Sequence, residues 1–251
     1  MWNNKSVSVV LATYREKASI RSSIEEFYST GVVDEIVVVN NNAEPGTDEE
    51  VHKTRARLVY ETKQGYGFAF RKGISEATGD YIVLCEPDHT FVGADIQRLL
   101  VYSQDFQAVL GSRTNRSTIE QDTAMTPFRR FGNVVYAKII EILFGAKTIT
   151  DIGCTYKLFH KSALREIEPH FKTGNPLFAT ELMLLIVSHQ IPFVEIPVSY
   201  RQRIGHSTII SHWHSWFTWG LAVFAYIWCY WYAWMFERAS SSIKTFLGIK
   251  C

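Results

Sequence analysis

From Ser6 to about Ser112 the chain alternates short, β-branched apolar runs with polar or amphipathic stretches of helical length. This is the βαβα rhythm of a parallel sheet. Strands are predicted at Val7–Ala12, Glu35–Val39, Arg57–Tyr60, Tyr81–Cys85 and Ala108–Leu110, each apolar enough to be buried on both faces. Helices are predicted at Ser19–Ser29, Thr47–Thr54, Gly67–Ala77 and Gly93–Tyr102. Ligands of such sheets sit beyond the carboxyl ends of the strands. The loops Thr13–Glu16, Asn40–Asn42, Gln64–Gly67, Glu86–His89 and Gly111–Arg113 are therefore expected to share one crevice. From Thr126 to Arg203 the pattern is mixed, with helices predicted at Phe128–Phe144, Leu158–Ile167 and Phe178–His189 and a strand at Phe193–Tyr200. No internal repeat or low-complexity linker interrupts it.

The pattern then changes. No Asp, Glu, Lys or Arg occurs from Ile204 to Phe236, and six of the seven tryptophans fall there. Trp213 to Phe236 is 24 residues, about 36 Å as a helix against a hydrocarbon core of about 30 Å. Helical spacing gathers the tryptophans on one half and sets Ser215, Thr218, Ala222, Ala225, Cys229 and Ala233 on the other. The segment spans a membrane, lies in its interface as an amphipathic helix, or packs as a core helix of a soluble domain. The small-residue stripe is a surface for a partner helix, including one from a second copy of the chain. The chain is accordingly divided into a catalytic-type domain, residues 1–208, and an aromatic, membrane-associated segment, residues 209–251.

Composition narrows the function. With 251 residues and 47% hydrophobic content the chain can fill a large core. Lys+Arg 26 against Asp+Glu 25 leaves no basic excess for nucleic acid. The four cysteines form no C-x-x-C pair, so neither a disulfide framework nor a zinc knuckle is encoded. The N-terminus shows no secretory leader, and a reducing compartment is expected. His212 and His214 point to different helix faces, and no metal is assigned to the histidines.

The sharpest local chemistry is Glu86-Pro87-Asp88-His89 after the apolar run Tyr81–Cys85. Two carboxylates one residue apart at a strand end can each offer an oxygen to a hard divalent cation shared with a diphosphate. Gln64-Gly65-Tyr66-Gly67 precedes a helix, but Phe70 stands where a dinucleotide fingerprint needs its third glycine and the turn follows the third strand. Both facts argue against an NAD site, and the absence of G-x-x-x-x-G-K-[ST] excludes a P-loop as far as sequence can. The two glycines permit either close approach of backbone to a ligand or a tight turn.

Taken in order, Val7–Leu11 with Thr13-Tyr-Arg-Glu16, Val37–Asn42, Gln64–Gly67, Ala77-Thr-Gly-Asp80, Glu86-Pro-Asp88 and Gly111-Ser-Arg113 resemble family 2 glycosyltransferases of the GT-A fold. More narrowly they resemble the polyprenyl-phosphate glycosyltransferases related to dolichyl-phosphate mannose synthase. The resemblance covers about residues 6 to 208. It implies a Rossmann-like α/β domain with a mostly parallel sheet, and an inverting transfer of a sugar from a nucleotide-sugar donor assisted by Mg²⁺ or Mn²⁺. By the same resemblance Thr13, Glu16 and Asn40 border the nucleoside, with Gln64, Gly65 and Gly67 beside them. The family usually has Asp where Asn40 stands. Glu86 and Asp88 match its D-x-D pair, and Asp88 is expected to contact the metal directly. A cation there stabilises the charge that develops on the departing nucleoside diphosphate.

On the acceptor side the resemblance assigns phosphate-binding roles to Arg113 and to Arg129 or Arg130, and likens Tyr200–Ser207 to a segment that closes over the diphosphate, with Arg201, Arg203 and Ser207 as its phosphate-binding members. Thr208 replaces the family's usual lysine. Asp151 and Glu181 are candidate general bases for a hydroxyl acceptor, whereas a phosphate monoester is already ionised and requires none. The reading is thus a membrane-attached enzyme facing the cytoplasm, with a lipid phosphate as acceptor. The alternatives are a non-catalytic nucleotide-sugar-binding or scaffold protein of the same fold, and a sugar-1-phosphate nucleotidyltransferase. The latter wants a glycine-rich loop after the first strand, and Ala12–Lys17 has no glycine.

Overall fold

The computed structural model describes residues 1–121, 123, 125–205 and 213–246. Ser207, Thr208 and the 208/209 division of the chain lie outside the described residues. The elements run β1 (Val7–Thr13), α1 (Lys17–Ser29), β2 (Glu35–Asn40), α2 (Thr47–His52), β3 (Arg57–Tyr60), α3 (Tyr66–Glu76), β4 (Tyr81–Cys85), α4 (Ile96–Tyr102), β5 (Ala108–Ser112), α5 (Pro127–Phe144), β6 (Lys157–His160), α6 (Lys161–Ile167), α7 (Phe178–Ser188), β7 (Phe193–Pro197) and α8 (Trp213–Phe246).

Seven strands form one sheet in the order β3-β2-β1-β4-β6-β5-β7. All neighbours are parallel except β6, which runs antiparallel between β4 and β5. Alternate residues of each strand feed opposite sides, as the two-residue period requires. Val10, Val37, Val39, Ile82 and Leu84 join the core under α3, α5, α7 and α8. Val9, Leu11, Val38, Val83 and Leu158 join the core under α1 and α4. Both faces are covered, which explains why the strands read as unbroken apolar runs.

Two expectations change. Leu158–Ile167 is not one helix: Lys157–His160 is a strand, and α6 begins at Lys161. Leu158 and Phe159 pair with Val83 and Ile82 on one side and with Val109 and Ala108 on the other. Filling the gap between β4 and β5 thus outweighs the local helical pattern. The strand at Phe193 stops at Pro197, since proline removes a ladder donor.

The aromatic segment is a helix, but no helix among the described residues is long and apolar enough to cross a membrane. Instead α8 lies on the domain. Ile227 is fully buried and Val223 nearly so, Trp231 Nε1 donates to Leu143 O at 2.8 Å, and Trp234 packs on Phe144. The face expected to be small is exposed at Thr218, Ala225, Cys229 and Ala233. Trp228 also faces outward, so the tryptophans do not share one environment.

Candidate active site

The order of the sheet reverses at β1 and β4, so the crevice at their carboxyl ends is where a parallel α/β sheet holds a ligand. At the end of β1, Glu16 Oε2 accepts from the N–H groups of Tyr14 at 2.7 Å and Arg15 at 2.9 Å, which bends the chain into α1. Thr13, 1% exposed, also points its hydroxyl at this carboxylate.

At the end of β2, Asn40 is engaged with its own loop. Its Nδ2 donates to Asp48 Oδ1 at 2.6 Å and its Oδ1 accepts from Ala43 N at 2.8 Å. The neighbour that sequence reasoning passed over does more positioning. Asn41 Nδ2 donates to the carbonyls of Glu61 and Lys63, both at 2.8 Å, and its Oδ1 accepts from Gly65 N at 2.8 Å. Asn42 holds Gln64 through an amide–amide bond of 2.7 Å.

The Gly65/Gly67 turn makes its close approach to another loop. Gly174 O accepts from Gly67 N at 2.8 Å and Phe68 N at 3.2 Å. A Cβ on Gly65 would lie 2.2 Å from that carbonyl oxygen, and one on Gly67 would lie 2.7 Å from Thr173 O. Glu181, buried in α7, fastens the same loop: its carboxylate accepts from Lys172 N at 2.9 Å, Thr173 N at 3.0 Å and Thr173 Oγ1 at 2.7 Å. Tyr226 of α8 donates to it from the other side at 2.9 Å.

The acidic pair follows β4. Asp88 is 1% exposed; its Oδ1 accepts from Thr90 N at 3.0 Å and Thr90 Oγ1 at 2.6 Å. Its Oδ2 faces Arg203 Nη1 at 3.0 Å. Glu86 Oε1 accepts from Thr155 Oγ1 at 2.9 Å, and that hydroxyl also bonds Tyr66 OH at 2.7 Å. Burial, then repulsion from Asp88, pushes Glu86 up to about 7. Among the described residues no three His, Cys, Asp or Glu side chains gather as a metal cage. The two carboxylates would each offer a hard oxygen to a Mg²⁺ or Mn²⁺ ion, Glu86 once it has given up its proton.

At the end of β5, Arg113 meets Asp151, which is fully buried. Nε donates to Oδ2 at 2.8 Å and Nη2 to Oδ1 at 3.0 Å, and the Arg113 N–H adds a third bond at 3.0 Å. Burial opposes ionisation of Asp151, but the guanidinium overcomes it and keeps the carboxyl below its ordinary range. Arg113 also lies over the Tyr200 ring. Arg129, on the first turn of α5, shares the field of Tyr200 and Arg113, and Arg130 follows it. Arg201 is drawn away to Glu26, at 2.8 Å and 3.0 Å, and to Phe91 O. The crevice therefore gathers Thr13, Glu16, Glu86, Asp88 and Arg203. The Arg113 guanidinium acts electrostatically on Glu86 and Tyr66, while Glu181 and Arg201 are bonded to neighbouring loops.

A sequence model described as "Glycosyl transferase family 2" matches residues 8–168. The chain is 24% identical to a dolichyl-phosphate hexose transferase of Haloferax volcanii, covering 81% of this chain and 86% of that one. It is 25% identical to a dolichyl-phosphate beta-glucosyltransferase of Saccharomyces cerevisiae, covering 82% and 70%. Its fold is similar to that of glucosyl-3-phosphoglycerate synthase from Mycobacterium tuberculosis, solved with Mn²⁺, uridine diphosphate and phosphoglyceric acid. The TM-score is 0.70 at 14% identity, over 91% of this chain and 79% of that one.

Proposed function

This chain belongs to glycosyl transferase family 2, and on that footing we propose that it moves a hexose, with inversion, from a nucleoside-diphosphate sugar to a polyprenyl or dolichyl phosphate at a membrane surface. The Glu86/Asp88 pair at the switch point, Asp88 buried and Glu86 half-buried, carries the reading. Asp88 and Glu86 would hold a Mg²⁺ or Mn²⁺ ion, which would supply neutralising charge for the departing diphosphate. Thr13 and Glu16 border the nucleoside, with the loop that Asn41 holds at Gln64–Gly67 beside them. Arg203 spans Glu16 and Asp88, within reach of a diphosphate lying between them.

A phosphate acceptor suits the remaining side chains. Asp151 is committed to Arg113 by two side-chain bonds, and Glu181 accepts four donors. Neither is placed to abstract a proton, and a phosphate monoester needs no base. Arg113 and Arg129, the one oriented by Asp151 and Tyr200 and the other on an exposed helix start, meet the phosphate. Names of relatives that include dolichyl phosphate support the same acceptor.

The outer faces of α5 and α8 support attachment to a membrane. Phe128, Phe131, Val135 and Ile142 are exposed on α5, the first two beside Arg129. Leu221, Phe224, Trp228, Tyr232 and Phe236 are exposed on α8. Paired amphipathic helices of this kind lie in the lipid interface, with the domain on the cytoplasmic side. Binding of UDP, GDP, dTDP and CDP by calorimetry, with and without Mn²⁺, on the wild type and Asp88→Asn tests the donor half. Metal-dependent binding of one nucleotide that is lost in the variant supports it, and no binding by folded protein refutes it.

A further inference from the structure

The proposed function needs a divalent cation at Asp88, and one side chain already stands there. Arg203 Nη1 lies 3.0 Å from Asp88 Oδ2 and Nη2 lies 3.1 Å from Glu16 Oε1. Asp88 Oδ1 is committed to Thr90, which leaves Oδ2 as the oxygen best placed for a metal, and the guanidinium covers it. The backbone on either side of Arg203 is anchored along the same loop, through Ile204 N to Asp88 O at 3.1 Å and Arg201 N to Thr90 O at 2.7 Å. Yet the guanidinium is incompletely satisfied, because its Nε is buried and has no acceptor among the described residues. A cation lodged between two carboxylates with one N–H unanswered is suited to give up a partner when a better anion arrives.

We propose that Arg203 holds the cation position in the ligand-free protein and yields Asp88 Oδ2 to the divalent metal when a nucleoside diphosphate enters, its guanidinium turning to the phosphate oxygens. The inference rests on the metal–diphosphate reading above and adds a consequence to it. A dication beside Arg203⁺ is repelled until the diphosphate brings compensating charge. Metal alone therefore binds weakly, and metal and nucleotide strengthen each other by the same factor.

Free Mn²⁺, followed by its paramagnetic resonance signal, measures this directly on the full chain, without turnover. Arg203→Gln is expected to bind Mn²⁺ alone roughly tenfold tighter than the wild type, the scale of one charge-assisted bond given up. The tightening produced by added nucleotide, from the UDP, GDP, dTDP and CDP panel, shrinks by the same factor. Arg201→Gln removes an equal charge two residues away but paired to Glu26, and stays within about twofold of the wild type. Arg203→Lys, a point charge unable to span Glu16 and Asp88, falls between and serves as the readout if the Gln variant does not fold. Unchanged or weaker Mn²⁺ binding in a variant that melts like the wild type overturns the competition while leaving the proposed function standing. Absence of Mn²⁺ binding to the wild type with every nucleotide overturns both.

Discussion

Arg113 closes a two-pronged pair on the fully buried carboxylate of Asp151, Nε to Oδ2 at 2.8 Å and Nη2 to Oδ1 at 3.0 Å. The pair holds the arginine head from behind and fixes the end of β5 against residues 150–153. Breaking one partner of such a pair typically costs about 3–5 kcal/mol. Asp151→Ala is expected to destabilise on that scale in urea unfolding. Asp151→Asn, which keeps the shape, is expected to raise KM for the acceptor more than it lowers kcat. Its pH–rate profile should keep the shape of the wild type. Loss of the acidic limb in Asp151→Asn identifies Asp151 as a base instead.

The glycine turn is a backbone junction, so its substitution acts on two loops at once. Gly67→Ala pushes a methyl group to 2.7 Å from Thr173 O and 2.9 Å from the Phe178 Cβ. Overpacking of this kind costs about 1–3 kcal/mol. The expected signature is loss of both stability and nucleotide affinity, read by chemical denaturation and calorimetry on one preparation.

Tyr226→Phe removes one of the four donors to Glu181 and leaves the other three. A cost of about 1–2 kcal/mol is expected, with α8 exchanging its amide hydrogens faster around position 226. Equal exchange in the two proteins contradicts the tie between α8 and the loop at Thr173.

Burial, reinforced by Asp88, raises Glu86 to about 7, which makes the acid a proton carrier in the folded state. A raised acid pKa means that the native protein binds more protons than the unfolded chain between the ordinary carboxylate range and about pH 7. This contribution to stability is thus fullest below that window and is lost as pH rises through it. Glu86→Gln should flatten that part of the stability–pH curve. Because a metal ligand must be ionised, Mn²⁺ binding with nucleotide near pH 6 is expected to release roughly one proton in the wild type. The variant should release fewer, measured by calorimetry in buffers of differing ionisation enthalpy.

Phe131→Glu combined with Phe224→Glu places charge on the exposed faces of α5 and α8. Co-sedimentation with vesicles of phosphatidylcholine and phosphatidylglycerol should fall at least about tenfold, with nucleotide binding unchanged. Retained sedimentation places the membrane contact elsewhere.

The strands at β1, β2 and β4 were legible in the chain because burial on both faces leaves an uninterrupted apolar run. β6 was not, since four residues beginning with a lysine carry no period and only the gap between β4 and β5 makes them a strand. The acidic pair at Glu86 and Asp88 could be read locally, from residue type at a strand end. Its cationic neighbour could not: Arg203 meets Glu16 across 187 positions. Asn41 sits in a run of three asparagines that signals only a loop, and Thr155 lies far in sequence from Glu86. The role of Glu181 was hidden for the same reason, because its partners arrive from a loop and from α8.

Incubating the purified chain in lipid with dolichyl phosphate, Mn²⁺ and each of a panel of nucleoside-diphosphate hexoses, then weighing the lipids by mass spectrometry, tests the account most directly. Accumulation of hexosyl-phosphoryl dolichol from one donor, abolished in Asp88→Asn, is the expected result. A folded protein that binds nucleotide and metal yet yields no glycosylated lipid phosphate from any donor contradicts the assignment of the acceptor.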